Sequence, residues 1–411
     1  MRVRSLLHEL LGVEELVVLD GIFEDGVDGR VFVASVRARK ATRSRCPKCQ
    51  KRCPGYDRVS RVRRWRHVDV GPWRCYLQAS VRRVECGEHG VLTESVPWAR
   101  PAARMTRAFD DQVAWLAAHS PASAVSELMR VSWRTVQRIV QRVVADATGT
   151  VDRLDGLRRI GIDEMAYRKG HRYVTVIVDH DTGRLVWARE GARKQTLRMF
   201  FDELGVERTN ALTHVSADGG KYIATVLAER TPQAIWCMDP FHVVQWATRA
   251  MGRCRMRLLH RVSGLSDADR RQLRWALLKN PENLNARQKR ARRALVRSTN
   301  TELAAAYQFK EELRHLFAGR YVKPWPTLLR WIKRAESCGI VEIVGLARSV
   351  RAQQVQIYNA ITVGLSNARV EATNTHLRAI TKRAYGFHSP EALIAMATLT
   401  RGGTCPALPQ R

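Results

Sequence analysis

Ile160-Gly161-Ile162-Asp163-Glu164 opens the stretch that decides the fold, IGIDEMAYRKGHRYVTVIVDHDTGRL at residues 160–185. It reads as an apolar strand interrupted by two carboxylates, then a Val/Ile-rich strand over Tyr173–Val178. Asp179-His180-Asp181-Thr182-Gly183 has the composition of a hairpin turn, and Arg184–Arg189 returns as a third strand. Thr196–Leu204 is helical, and Ala211–Ala217 is a strand ending at Asp218-Gly219-Gly220. Lys221–Arg230 is helical again, and Gln233–Met238 is a strand ending at Asp239-Pro240-Phe241-His242.

Three meandering antiparallel strands followed by α-β-α-β predict a ribonuclease H-like α/β domain. In such a sheet the first and fourth strands are neighbours, so Asp163 and Asp218 approach each other. An acid inside an apolar strand is costly unless it is paired or binds a metal, which gives Asp163 a functional reason to be there. Alternation along the strand sends Glu164 to the opposite face. Downstream, Glu371, Asn374 and Arg378 recur at i, i+3 and i+7 on one helix, with Lys382 following. A carboxylate, an amide and cations on one face suit a metal and a phosphodiester. The expected set is therefore Asp163, Asp218 and Glu371 around two Mg²⁺ ions, with Mn²⁺ as a substitute. Asp239, one strand further across the sheet, is the rival to Asp218. Gly219 and Gly220 are read as leaving room for a DNA backbone.

Working outward, the chain has 70 Lys and Arg against 39 Asp and Glu in 411 residues, a formal charge of +31. That balance argues against a small acidic metabolite as sole partner and points to a polyanion, first of all nucleic acid. Hydrophobic residues at 45% are enough for real cores, which excludes wholesale disorder. No apolar run approaches the roughly 18 residues of a spanning helix, so a soluble, cytoplasmic protein without a membrane partner is expected.

Five of the nine cysteines fall between Cys46 and Cys86. Cys46-Pro-Lys-Cys49 and Cys86-Gly-Glu-His89 are two pairs of equal spacing, and together they predict a tetrahedral structural Zn²⁺ site. Cys53 and Cys75 read as small core residues. The surrounding strands are rich in Arg and Trp; Arg63 and Arg64 are candidate phosphate contacts, while Trp65 and Trp73 are read as core. Next, Arg107–His119, Ala122–Met129 and Trp133–Val144 read as three helices, with Ser132 as an N-cap. Trp133, Val136, Val140 and Val143 form one stripe, expected to be buried. Arg134, Thr135 and Arg138 lie away from it, as on the recognition helix of a helix-turn-helix.

At this level the chain resembles the insertion-sequence transposases of the DDE type, in the ISL-three group. The segments that carry the resemblance are IGIDEMAYRKGHRYVTVIVDHDTGRL, AIWCMDPFHVVQWA, RWALLKNPENL and LSNARVEATNTHLRAITKRAYGF. The resemblance implies binding to terminal inverted repeats, Mg²⁺-dependent cleavage and joining of the freed 3′-hydroxyl to target DNA. It also implies a helical insertion between the second and third acids. The expected organisation is a β segment at 1–36, a zinc-binding basic module at 37–104 and a helix-turn-helix at 105–148. A ribonuclease H-like core at 157–242 and 361–400 is then split by a helical insertion at 243–360. Double-stranded DNA is the expected partner, with a homodimer or higher assembly on it. The rival reading is a catalytically silent, transposase-derived DNA-binding regulator.

Overall fold

The computed structural model describes residues 3–27, 29–57, 61–168, 170–259, 266–296, 301–319 and 322–408. The chain forms two compact units, 1–152 with 395–411, and 153–394.

The first unit begins with a helix, α1 (Val3–Leu11), where the sequence reading expected only strands. Leu7 and Leu11 turn one face of it onto the sheet below. Val3, Leu6, Leu7, Leu10 and Leu11 recur at i, i+3, i+4, i+7 and i+8, so the helical period was legible in the sequence. β1 (Leu16–Gly26), β2 (Gly29–Ala38), β3 (Arg61–Val70) and β4 (Trp73–Val81) form one sheet in the order β1-β2-β4-β3. The segments read separately as 1–36 and 37–104 thus share a sheet, because β2 pairs with β4 in parallel. Trp65 fills the core edge-on to Trp98, with Cys75 beside it in the same cluster. Trp73 is partly exposed and packs against Phe23. β5 (Arg83–Cys86) and β6 (Gly90–Thr93) form a tight hairpin.

α2 (Arg107–His119), α3 (Ala122–Met129) and α4 (Trp133–Thr150) follow as a three-helix bundle. Thr106 and Ser132 cap α2 and α4 through their side chains, each satisfying an otherwise unpaired N–H. The bundle core is Phe109, Val113, Val125, Ile139, Val140 and Val143, joined by Ala395 and Leu399 from the chain's C-terminal part. Asp110 is fully buried within it and is bound by both Arg142 and Arg100. Trp133 departs from its expected buried stripe and stands 40% exposed. Ile139 is fully buried in the bundle core instead.

In the second unit, β7 (Arg159–Arg168), β8 (Arg172–Asp179) and β9 (Leu185–Glu190) form the meander. β10 (His214–Ala217) and β11 (Ile235–Met238) extend it in parallel to give the order β11-β10-β7-β8-β9. This is the ribonuclease H-like sheet. α5 (Lys194–Leu204), α6 (Val206–Asn210) and α7 (Lys221–Arg230) lie in its crossovers, where Leu197, Phe200, Ile223 and Val226 pack with Ile160 and Ile162. The long helical segment expected between the acids is present as α8 (Pro240–Leu259), α9 (Asp267–Leu278), α10 (Ala286–Val296), α11 (Thr301–Leu316), α12 (Pro324–Glu336), α13 (Val341–Ala352) and α14 (Gln354–Val363). Its core includes Trp331, while Trp325 packs on Tyr358; Trp275 is 41% exposed and flanked by Arg274 and Lys279. Asn359 of α14 donates to the Trp236 carbonyl, so the helical segment is fastened to edge strand β11. α15 (Ala368–Arg383) returns to lie on β7, and α16 (Pro390–Arg401) follows. The second unit closes at Ile394, whereas the sequence reading carried its core to residue 400. No described helix is long and apolar enough to cross a membrane.

Candidate active site and metal centre

Asp163 lies within β7, and Asp218 is the first residue beyond β10, the strand beside it. Asp239 is the first residue beyond β11. Ala217 and Met238 are register partners, so the two aspartates end neighbouring parallel strands side by side, about 4.8 Å apart in strand spacing. Glu371 sits in the first turn of α15. Asp163 feels the charges of Asp218 and Asp239, and Glu371 those of Asp239 and Asp163. Burial raises the Asp163 carboxyl above its ordinary range, and the charges of Asp218 and Asp239 push the same way against His242. Burial also raises Glu371, with Asp239 and Asp163 adding to it. Glu164, assigned to the other face, feels charges of this group as well. Burial and the charges of Asp218 and Asp163 push its carboxyl up to about 7. Two successive acids in an apolar strand were the signal that could have included it.

Hydrogen bonding distinguishes the acids. Asp163 accepts from Asn374 Nδ2 at 2.7 Å and from the Glu164 N–H at 2.8 Å. Asp218 is half-buried and accepts from the Gly220 N–H at 3.0 Å. Asp239 is 2% exposed, receiving the Phe241 N–H at 3.3 Å and His242 Nδ1 at 2.8 Å. That bond raises the His242 pKa, so Asp239 faces a ring inclined to carry positive charge. Gly219 does not leave the expected opening, since a Cβ there would meet Met238 at 2.8 Å and the Trp246 ring at 3.2 Å. On α15, Asn374 is buried against Asp163, while Arg378 and Lys382 are exposed.

Close approach of α15 to β7 depends on Gly161. A Cβ at that position would lie 2.3 Å from Val370 Cγ2 and 2.7 Å from His180 Nε2. Glycine lets the helix backbone reach the strand that carries Asp163.

The donors are carboxylate oxygens, the hard ligands that Mg²⁺ and Mn²⁺ select. Glu164 Oε1 and Asn374 Oδ1 are buried without a hydrogen-bond partner, as expected where acceptors face a cation. Among the described residues, no three of these carboxylates close to within 4.8 Å of one another, in keeping with mutual repulsion. The fit to a divalent cation thus rests on the hard oxygen donors and the two orphaned acceptors, not on a closed cage of carboxylates.

The first unit carries a second cluster. The ligand atoms of Cys46, Cys49, Cys86 and His89 all lie within 4.8 Å of one another. Cys49 and Cys86 sulfurs are 3.7 Å apart, and His89 Nδ1 is 3.6 Å from Cys86 and 3.8 Å from Cys46. A tetrahedron with ~2.3 Å zinc–sulfur bonds has edges of about 3.8 Å. Hydrogen bonding from the Glu88 backbone and the His89 ring draws the Cys86 thiol down to about 6, which favours the ligating thiolate. The β5–β6 hairpin turn presents Cys86 and His89, while Cys53 fills the small core beside them.

Of the candidate DNA contacts, Arg134 and Arg138 are exposed on α4, with Arg134 lying over the Trp133 ring. The Thr135 hydroxyl is 3.0 Å from Ser132 Oγ and so contributes to the cap. Arg63 is exposed on β3, whereas Arg64 is held by Glu24 and Gln78.

Family comparisons agree with this order of parts. Residues 160–397 match a transposase family model, residues 94–144 the helix-turn-helix domain of transposase family ISL3, and residues 42–89 the zinc finger of the IS204/IS1001/IS1096/IS1165 transposases. The transposase for insertion sequence element IS1557 of Mycobacterium tuberculosis is 45% identical over 100% of this chain and 98% of its own length. The transposase for insertion sequence element IS1001 of Bordetella parapertussis is 27% identical over 84% of this chain and 86% of its own length. A transposase match across more than half the chain, full-length similarity to one such enzyme and an acid-bearing ribonuclease H-like sheet converge: the chain belongs to the ISL3 family of insertion-sequence transposases.

Proposed function

We propose that this transposase recognises the terminal inverted repeats of its element in double-stranded DNA. It then cleaves them in a Mg²⁺-dependent reaction and joins the 3′-hydroxyl to target DNA. The observation that carries the reading is the placement of Asp163 in β7, Asp218 and Asp239 at the ends of β10 and β11, and Glu371 on α15, which packs on β7, in a ribonuclease H-like sheet. Mg²⁺, or Mn²⁺ in its place, would be held by Asp163, Asp218 and Glu371. When bound, it supplies activation of water or the 3′-hydroxyl and stabilisation of the leaving oxygen. Asn374 orients Asp163 by donating to its Oδ2. Arg378 and Lys382 extend the helix face beyond Glu371 as phosphate contacts.

Asp218 is favoured as the second acid because its strand borders β7, whereas Asp239 is buried and paired with His242. Glu371 feels the charges of Asp239 and Asp163, which is the observation that keeps Asp239 as the rival second acid. Cys46, Cys49, Cys86 and His89 hold one structural Zn²⁺ in this reading. Arg134 and Arg138 read base edges, Arg63 and Arg64 contact phosphates, and the active assembly on DNA is a dimer or larger. The silent-regulator alternative is disfavoured by retention of every acid of the set.

The test is end-DNA cleavage in Mg²⁺ and in Mn²⁺ by Asp163→Asn, Asp218→Asn, Asp239→Asn and Glu371→Gln, with DNA affinity followed alongside. Loss of cleavage in the Asp163, Asp218 and Glu371 variants with binding retained is expected. Near wild-type cleavage by Asp218→Asn alongside loss in Asp239→Asn would transfer the role to Asp239.

A further inference from the structure

Beneath α15 runs a chain of buried polar groups in an otherwise apolar layer. Ser216 lies in β10 directly opposite Gly161 of β7, and the β7–β10 pairing ends at that pair. The carbonyl of Ile162, one residue on, receives Asn367 Nδ2 at 3.1 Å. Asn367 Oδ1 accepts from the Ser216 hydroxyl, whose oxygen lies 2.6 Å from His180 Nε2. Asn367 and Ser216 are fully buried, and His180 is nearly so. The chain joins four elements: the turn after β8, β10, β7 and the start of α15.

At its Asn367 end this chain attaches beside two of the proposed catalytic acids. Ile162 immediately precedes Asp163, while the Asn367 carbonyl accepts the Glu371 N–H at 2.8 Å. Asn374, three residues beyond Glu371, binds Asp163 itself. Glu371 is therefore bracketed on one helix face by two carboxamides, at i−4 and i+3, both fastened to β7. Burying so many polar groups is a poor way to gain stability alone, because an apolar layer of the same shape does as well. It gives a single register, since every partner is satisfied in only one placement of the helix.

We propose that Asn367, Ser216 and His180 form a positioning clasp that sets Glu371 against Asp163. Asn374 ties α15 to Asp163 further along the helix, and the clasp fixes the height of its first turn on β7. This inference rests on the metal-dependent cleavage reading above.

The test compares full-length wild type with Ser216→Ala, Asn367→Ala and His180→Gln. It reads Mn²⁺ binding by electron paramagnetic resonance, single-turnover end cleavage, end-DNA affinity and thermal midpoint. Ser216→Ala is expected to bind Mn²⁺ at least fivefold more weakly and cleave at least tenfold more slowly. Its DNA affinity should stay within twofold, with a midpoint within a few degrees. His180→Gln, which keeps a nitrogen donor near the Nε2 position, should retain most of the wild-type Mn²⁺ binding and cleavage. Should Ser216→Ala fail to fold, Asn367→Ala reads the same quantities; if neither folds, the chain is a folding element and the proposal is overturned. Mn²⁺ binding and cleavage within twofold of wild type also overturn it, as does a loss shared equally by DNA binding and thermal midpoint. A wild type that neither binds Mn²⁺ nor cleaves overturns the metal reading itself, an outcome distinct from these.

Discussion

Replacing Gly161 by Ala tests how tightly Glu371, the proposed third acid, is placed. The added Cβ would lie 2.3 Å from Val370 Cγ2, against 3.4 Å for the near edge of ordinary contact. The deficit of 3.4 − 2.3 = 1.1 Å falls on α15, because Val370 is one residue from Glu371 and fully buried. The Cβ also stands 2.7 Å from His180 Nε2, so neither neighbour yields freely. Overpacking of this kind costs about 1–3 kcal/mol. The kinetic effect should be larger than the thermodynamic one, since a misplacement near 1 Å in a catalytic constellation costs about 100-fold in rate. Urea unfolding followed by circular dichroism measures the first quantity, and single-turnover cleavage of labelled end DNA in Mg²⁺ the second. Adding Val370→Ala should return part of both, as it removes the shorter of the two contacts. Stability within about 0.5 kcal/mol of wild type together with cleavage within twofold would refute the reasoning.

Metal analysis of the purified protein should find about one Zn²⁺, and Cys86→Ser should remove it and unfold residues around the β5–β6 hairpin, visible as rapid proteolysis there. Arg134→Ala and Arg138→Ala should each remove about 1–3 kcal/mol of discrimination between end and random DNA, measured by competition binding at fixed salt. An equal loss on both DNAs would reassign these side chains to phosphates. Acid should destabilise both units. Burial holds His67 and His180 at about 4 when folded, below the ordinary 6.5, so the unfolded chain binds more protons between those values. Each histidine's contribution is fully present above pH 6.5 and is lost as the pH falls toward 4, up to about 3 kcal/mol per residue. Chemical denaturation across that window should show the slope, and His67→Gln should reduce it in the first unit.

The sequence by itself determined the order of strands and helices along residues 160–238, because alternation and apolar runs are local signals, and that order singled out the ribonuclease H-like topology. It also singled out the Cys/His quartet and the Ser132 cap, where spacing along the chain is itself the geometry. Trp133 shows the limit: its place in the helical period was right, but whether that end of α4 is covered depends on helices packed from elsewhere. Glu164 shows it too, since alternation places a side chain relative to its strand and says nothing of the field from β10. What only the tertiary structure decided is the meeting of Asn367, Ser216, His180 and Gly161, which lie up to 206 positions apart in sequence order from Gly161 to Asn367. No period or motif links such residues; they become neighbours only when β10 pairs along the edge of β7 and α15 packs on β7. Charge and hydrogen bonding act through space, so the arrangement that distinguishes Asp218 from Asp239 exists only once the sheet is formed.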